Sequence, residues 1–191
     1  MFALSRRQFL ASTAAALGAS AAGFLKPNAA AAAADSDFVP LVVENRTIEV
    51  LGKPAKVFSL RQPNGASGIV TQAGRPFRVR LDNRIDAPTL IHWHGLLPPF
   101  GQDGVPDLPQ PLLQPGASYD YDFPLETPGT HWMHAHTLQE QQLLAAPLIV
   151  EDPAEAGRDE QQVVVLLHDF SFKTPEEILG ALKGSAETEP A

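Results

Sequence analysis

The chain has 191 residues, 44% of them apolar, enough for one domain with an ordinary core. Fourteen basic residues against 22 acidic ones give a formal net charge of -8, which argues against a phosphate-backbone partner, since that needs a basic face. Cysteine is absent, so this chain alone can supply no thiolate ligand and no His/Cys blue-copper set.

The N-terminus reads as an export signal. Ser5-Arg6-Arg7-Gln8-Phe9-Leu10 has twin-arginine form, and a mildly apolar, Ala- and Gly-rich stretch follows from Ala11 to Leu25. That stretch is too short and too weakly apolar for a membrane anchor. Small residues from Ala29 to Ala34 offer cleavage sites. Cleavage near Ala34 removes Arg6, Arg7 and Lys26 and no acidic residue, moving the net charge from -8 to -11. The expected organisation is a signal peptide over 1–34, one β domain over 35–184 and a polar tail over 185–191. The expected location is the periplasm.

With 18 prolines and 14 glycines between short apolar runs, the chain has an all-β composition. Phe38 to Val43, Thr47 to Val50 and Ala55 to Leu60 read as strands. Gln62-Pro63-Asn64-Gly65 is a turn. Phe77, Val79 and Leu81 alternate with arginines in a half-buried strand. Pro98, Pro99, Pro106 and Pro109 break the loop that carries Gln102-Asp103-Gly104. Tyr119, Tyr121 and Phe123 share one face of the next strand.

Thr137-Leu138-Gln139-Glu140 has capping-box form and predicts a short helix through Leu144. Pro147 to Val150 and Gln162 to Leu167 predict strands, the second so rich in Val and Leu that it should be fully buried. Thr174-Pro175-Glu176-Glu177 is a second capping box with Pro at the first helical position, and Gly184 should stop that helix. About nine short strands punctuated by turns predict a Greek-key β-sandwich with short helices.

Two pieces carry the chemistry: His92-Trp93-His94-Gly95 and His134-Ala135-His136, the latter inside Gly129-Thr130-His131-Trp132-Met133. Alternate residues of a strand share a face, so each His-x-His pair puts two imidazoles side by side, roughly 6.6 Å apart at the Cα atoms. Four of the six histidines lie in these pairs. Two such pairs are hard to explain as core or surface residues. By parity Trp132 shares the face of His134 and His136, while His131, Met133 and Ala135 oppose it. His131 is therefore excluded as a partner of His134 and expected to be a structural or surface residue, and His168 to serve in local hydrogen bonding. An all-imidazole set of four favours copper or zinc, and donor chemistry alone leaves both open. Gly95 is expected to let the backbone pass close to a ligand.

Ile91-His92-Trp93-His94-Gly95, Asp103-Gly104-Val105-Pro106, Gly129 through His136, and Ala146-Pro147-Leu148-Ile149-Val150 together resemble the first cupredoxin domain of the multicopper oxidases. The likeness is to the exported bacterial laccase-like and copper-resistance branch, and it covers roughly Val43 to Leu182. The resemblance implies a cupredoxin-like sandwich and a copper cofactor in a trinuclear cluster that reduces dioxygen to water. By position it assigns His92 to the type 2 copper, His94 and His134 to one type 3 copper, and His136 to the other. Asp103 matches an acidic residue that moves protons to the oxygen site; turn capping before Gly104 would explain it equally well. Met133 and Ala135 stand where the family often has Tyr and Ser. Both oppose the metal face, so these departures threaten the site little.

The family's remaining ligands, with a His-Cys-His motif joining the type 1 copper to the cluster, come from a C-terminal cupredoxin domain. The expectation is therefore half a trinuclear site, completed by a C-terminal half or by self-association, with dioxygen and an unknown reducing substrate as its reactants. A periplasmic copper-binding module without turnover is the alternative. A copper-free envelope protein is a third reading, against which the retained histidines count.

Overall fold

A computed structural model describes residues 37–186. The twin-arginine segment, the cleavage region and most of the polar tail lie outside them. Among the described residues, eight strands form two four-stranded sheets. In the first, the order is β2 (Lys53–Arg61), β1 (Val39–Val50), β4 (Pro76–Asn83), β6 (Ser118–Pro124). In the second it is β3 (Ile69–Gln72), β8 (Ala145–Glu151), β7 (Gly129–Ala135), β5 (Ile91–His94). The arrangement is the expected cupredoxin-like sandwich. The helix α1 (Pro175–Ala186) follows it in sequence.

Alternation places the core. Phe77, Val79 and Leu81 of β4 and Tyr121 and Phe123 of β6 point inward from the first sheet. Ile91 and Trp93 of β5 and Met133 and Ala135 of β7 answer from the second. Trp93 is fully buried and packs edge-on against Phe77 at 4.9 Å and Tyr121 at 4.8 Å between ring centroids. The Tyr121 hydroxyl accepts a hydrogen bond from Gln110 Nε2 at 3.0 Å, and burial pushes its pKa up. Trp93 is the peg that locks the two sheets. Trp93→Ala should cost about 3–5 kcal/mol in denaturant unfolding, because the cavity left between rigid strands collapses only in part.

Several expectations need correction. Phe38–Val43 and Thr47–Val50 are parts of one long strand, β1, whose backbone pairs with β2 without interruption from Val42 to Val50. Ile69–Gln72 forms a short strand that its residues did not advertise; it lies parallel to β8. Gln162 to Leu167 is not a buried strand. Among the described residues its backbone makes no hydrogen bond, and Val163 is 72% and Leu167 86% exposed. Apolar composition called for burial there, but no strand among the described residues pairs with it. The helix begins as expected, with Thr174 N–H donating to Glu177 Oε2 at 2.7 Å and Glu177 N–H to Thr174 Oγ1 at 3.2 Å. It runs through Gly184 to Ala186.

Candidate metal centre

The core and the candidate site are two faces of the same strands. With Trp93 and Met133 turned inward, His92, His94, Trp132 and His134 must face out. The antiparallel register of β5 and β7 sets His92 opposite His134 and His94 opposite Trp132. β5 is the edge strand of its sheet, so the cluster sits at one rim of the sandwich.

The imidazoles converge. Ligand nitrogens of His92, His94 and His134 all lie within 4.8 Å of one another. His94 Nδ1 is 3.3 Å from His134 Nε2. His136, one residue past the end of β7, adds a fourth ring, 5.7 Å from His92 and 6.0 Å from His134 between centroids. Trp132 stacks on His134 at 4.2 Å with 16° between planes and leans on His94 at 5.0 Å. The four histidines singled out by parity are thus together, and Trp132 walls one side of them.

The backs of two rings are held. His92 Nδ1 is 2.7 Å from the Asp103 carbonyl oxygen and 3.3 Å from its Oδ1. His134 Nδ1 is 3.0 Å from the Ala135 carbonyl oxygen and 3.3 Å from Glu140 Oε2. These acceptors require Nδ1–H, which leaves Nε2 of each ring as a bare lone pair. His134 is 6% exposed. Burial pushes its pKa below the ordinary imidazole range, with the neighbouring His92 and His94 acting in the same direction; the Ala135 carbonyl and the Glu140 carboxylate pull it back up. The ring is therefore neutral at pH 7 and able to donate a lone pair to a cation. This donor set of neutral imidazoles with no thiolate fits a copper or zinc ion.

Asp103 reaches His92 because Gly104 lets the loop after β5 press against that strand. Gly104 has φ +77, and a Cβ there would stand 1.8 Å from the Ile91 carbonyl oxygen and 2.8 Å from His92 Cα. Gly95 has a different use from the one expected. Its missing side chain makes room for His131, whose Nδ1 lies 2.6 Å from where a Cβ would be. His131 is kept off the cluster, as parity requires. His168 is exposed and forms no hydrogen bond among the described residues; burial of part of its ring and Arg46 lower its pKa, against Glu140. The local bonding role expected for it is absent.

Glu140 was missed as a site residue. It stood in the sequence as the last member of a capping box, and its carboxylate is elsewhere. Thr137 does cap the 3₁₀ turn Leu138–Gln142, accepting from Gln139 N–H at 3.4 Å. Glu140 does not complete that box; it lies against His134.

Residues 42–155 match the multicopper oxidase family model, and the chain belongs to that family. It is 36% identical over 116 residues to copper resistance protein A of Pseudomonas syringae pv. tomato, covering 60% of this chain and 19% of the relative. It is 33% identical over 138 residues to the multicopper oxidase MmcO of Mycobacterium tuberculosis, covering 69% and 27%. Among solved structures it resembles a multicopper oxidase from Pseudomonas thermotolerans at TM-score 0.55 and 34% identity, covering 59% of this chain and 29% of the other. It resembles a mutant of the laccase from B. aclada at TM-score 0.66 and 32% identity, covering 75% and 28%. The chain therefore spans only a fifth to under a third of the length of these relatives. The family implies copper as the metal, which the imidazole set accommodates.

Proposed function

We propose that the chain is the N-terminal cupredoxin domain of a multicopper oxidase and supplies half of a trinuclear dioxygen-reducing copper site. In this reading His92 binds the type 2 copper, His94 and His134 share one type 3 copper, and His136 binds the other. Copper, when bound, supplies one-electron redox chemistry and a place for dioxygen. The chain's own residues hold and orient the ligands: β5 and β7 set their spacing, Trp132 walls the His134 ring, and the Asp103 backbone fixes the His92 tautomer. The Asp103 carboxylate, 3.3 Å from His92 and partly open to solvent, is the group that passes protons to the oxygen site.

One observation carries the assignment. His94 Nδ1 and His134 Nε2 are 3.3 Å apart. Two nitrogens bound to one ion at about 2.0 Å and near-tetrahedral angles stand ~3.3 Å from each other. A direct hydrogen bond between them would ordinarily be shorter, about 2.9–3.0 Å.

Turnover in this reading requires a C-terminal cupredoxin half carrying the remaining ligands and a thiolate copper, or self-association that completes the cluster. The relatives' greater length supports the former. So does the bare aliphatic run from Val163 to Leu167, which lacks a pairing strand among the described residues. Metal content and absorption spectrum of the purified mature chain, with and without a candidate C-terminal partner, test the proposal. Oxidase activity that appears only with the partner is the expected result. Activity that is absent with every partner carrying a His-Cys-His motif would count against it.

A second reading is a copper-binding module without turnover. The grouping of His92, His94 and His134 within 4.8 Å favours it, since three nitrogens can serve one ion. One tightly held Cu(II) per chain, unchanged by any partner, would select it.

Export through the twin-arginine route to the periplasm, with a signal peptide over 1–34, belongs to the same proposal. Among the described residues no helix is long and apolar enough to cross a membrane. Replacing Arg6 and Arg7 together by Lys should leave uncleaved precursor in the cytoplasm, read by fractionation and immunoblot. Periplasmic delivery at the normal level would show another route.

A further inference from the structure

We propose that Glu140 is a positioning residue for His134: its carboxylate accepts the Nδ1–H of that imidazole and keeps Nε2 turned toward the position shared with His94. The inference rests on the reading of His134 as a metal ligand.

Two stretches of this chain share the capping-box pattern, and only one uses it. At Thr174 both reciprocal bonds form, and Glu177 returns to the Thr174 N–H. At Thr137 the cap bond goes to Gln139, and the Glu140 carboxylate leaves the turn to stand 3.3 Å from His134 Nδ1. In place of the cap, the half-exposed Glu140 carboxylate has the His134 ring N–H beside it, and a bond from that N–H to a carboxylate is charge-assisted.

The placement is built into the backbone. The 3₁₀ turn closes on Leu143 in the left-handed conformation, φ 66, with Leu143 N–H bonded to the Glu140 carbonyl at 3.0 Å. The next carbonyl, Leu144, accepts from Ala135 N–H at 2.9 Å, beside His134. Gln139 Nε2 ties the other flank to the Pro88 carbonyl at 3.0 Å. The turn is therefore pinned on both sides of Glu140, and its carboxylate is delivered to one ring.

His92 and His134 face each other across β5 and β7, and their backs match. Each Nδ1 meets one backbone carbonyl and one carboxylate oxygen, the latter at 3.3 Å in both: Asp103 for His92, Glu140 for His134. The carbonyl and the carboxylate share the ring N–H and hold the tautomer together. The carboxylate adds a negative charge that strengthens the lone pair on Nε2 and offsets the positive charge a bound cation brings to the ring. His94 and His136 have no carboxylate partner among the described residues.

The test uses the full mature chain with Cu(II) as the only added ligand. Wild type, Glu140→Ala, Glu140→Gln, His134→Ala and His168→Ala are compared by ¹⁵N spectra of the metal-free histidines and by Cu(II) titration against a competing chelator. The wild-type His134 ring should be in the Nδ1–H form. Glu140→Ala should mix the tautomers and weaken Cu(II) binding about 10- to 100-fold. Glu140→Gln, which keeps an acceptor without the charge, should restore the tautomer and recover part of the affinity. His168→Ala removes the other imidazole in the field of Glu140 and should change neither reading. An unchanged tautomer or an unchanged Cu(II) affinity in Glu140→Ala overturns the inference. If His134→Ala leaves Cu(II) affinity intact, the ligand role of His134 fails instead, and the tautomer spectra report separately on whether Glu140 holds the ring.

Discussion

A polypeptide of this sequence, purified and given Cu(II), should bind it through His92, His94, His134 and His136 without intense blue colour and without oxidising phenols. Blue colour needs a copper–thiolate bond, and the chain has no cysteine. Reducing dioxygen by four electrons needs an entry port for electrons and a closed ligand set around several coppers. The rim cluster offers imidazoles from one side only, so bound ions keep open positions filled by water. Metal analysis, absorption and electron paramagnetic resonance read the outcome. Replacing His134 and His136 together by Ala should lower the copper bound per chain. His131→Ala should not, because that ring packs over Gly95 and away from the cluster. Phenol oxidation that rose in step with bound copper would defeat the half-site argument and make a self-completed cluster the leading reading.

Gly104→Ala should disable the site from a position that bears no ligand. The backbone there has φ +77, which costs a residue with a Cβ about 1–2 kcal/mol by itself. The added methyl would also stand 1.8 Å from the Ile91 carbonyl oxygen and 2.8 Å from His92 Cα. Both are backbone atoms and cannot rotate aside. Either the loop lifts, withdrawing the Asp103 carbonyl from His92 Nδ1, or β5 shifts and takes both of its histidines with it. A lower melting temperature together with weakened Cu(II) binding is expected. Gly101→Ala, in the same loop with nothing within 4 Å of its new methyl, is the control and should be neutral to within about 0.5 kcal/mol. Equal behaviour of the two variants would show that the loop does not press on β5.

The parts of this architecture that could be read from the chain are those where one local rule acts alone. Period-two alternation around Phe77 and Tyr121 has a single solution, and both strands formed as expected. The same rule sorted the histidines: Trp93 and Met133 go to the core, so their neighbours face out. What could not be read depends on contacts distant in sequence. Ile69–Gln72 is a strand only because β8 lies beside it, about eighty residues later. Glu140 satisfied a local pattern while a ring on a neighbouring strand claimed its carboxylate. Gln162 to Leu167 failed in the opposite sense: its composition is that of a buried strand, but burial needs a partner surface that composition cannot supply. The metal-ligand roles of the four histidines came from a resemblance, which the membership in the multicopper oxidase family supports at the level of copper.

The uncovered stretch from Val163 to Leu167 has a bearing on how this polypeptide behaves as a material. Five consecutive aliphatic residues outside any strand or helix, with no backbone hydrogen bond among the described residues and no proline, are the ingredients of a cross-β stack, in which copies pair edge to edge and interleave their side chains. Asp159 and Glu160 on one side and Asp169 on the other act as gatekeepers, since stacking in register would pile like charges on one another. Replacing Asp159, Glu160 and Asp169 by Asn, Gln and Asn removes that repulsion and exposes the stretch to fibre formation.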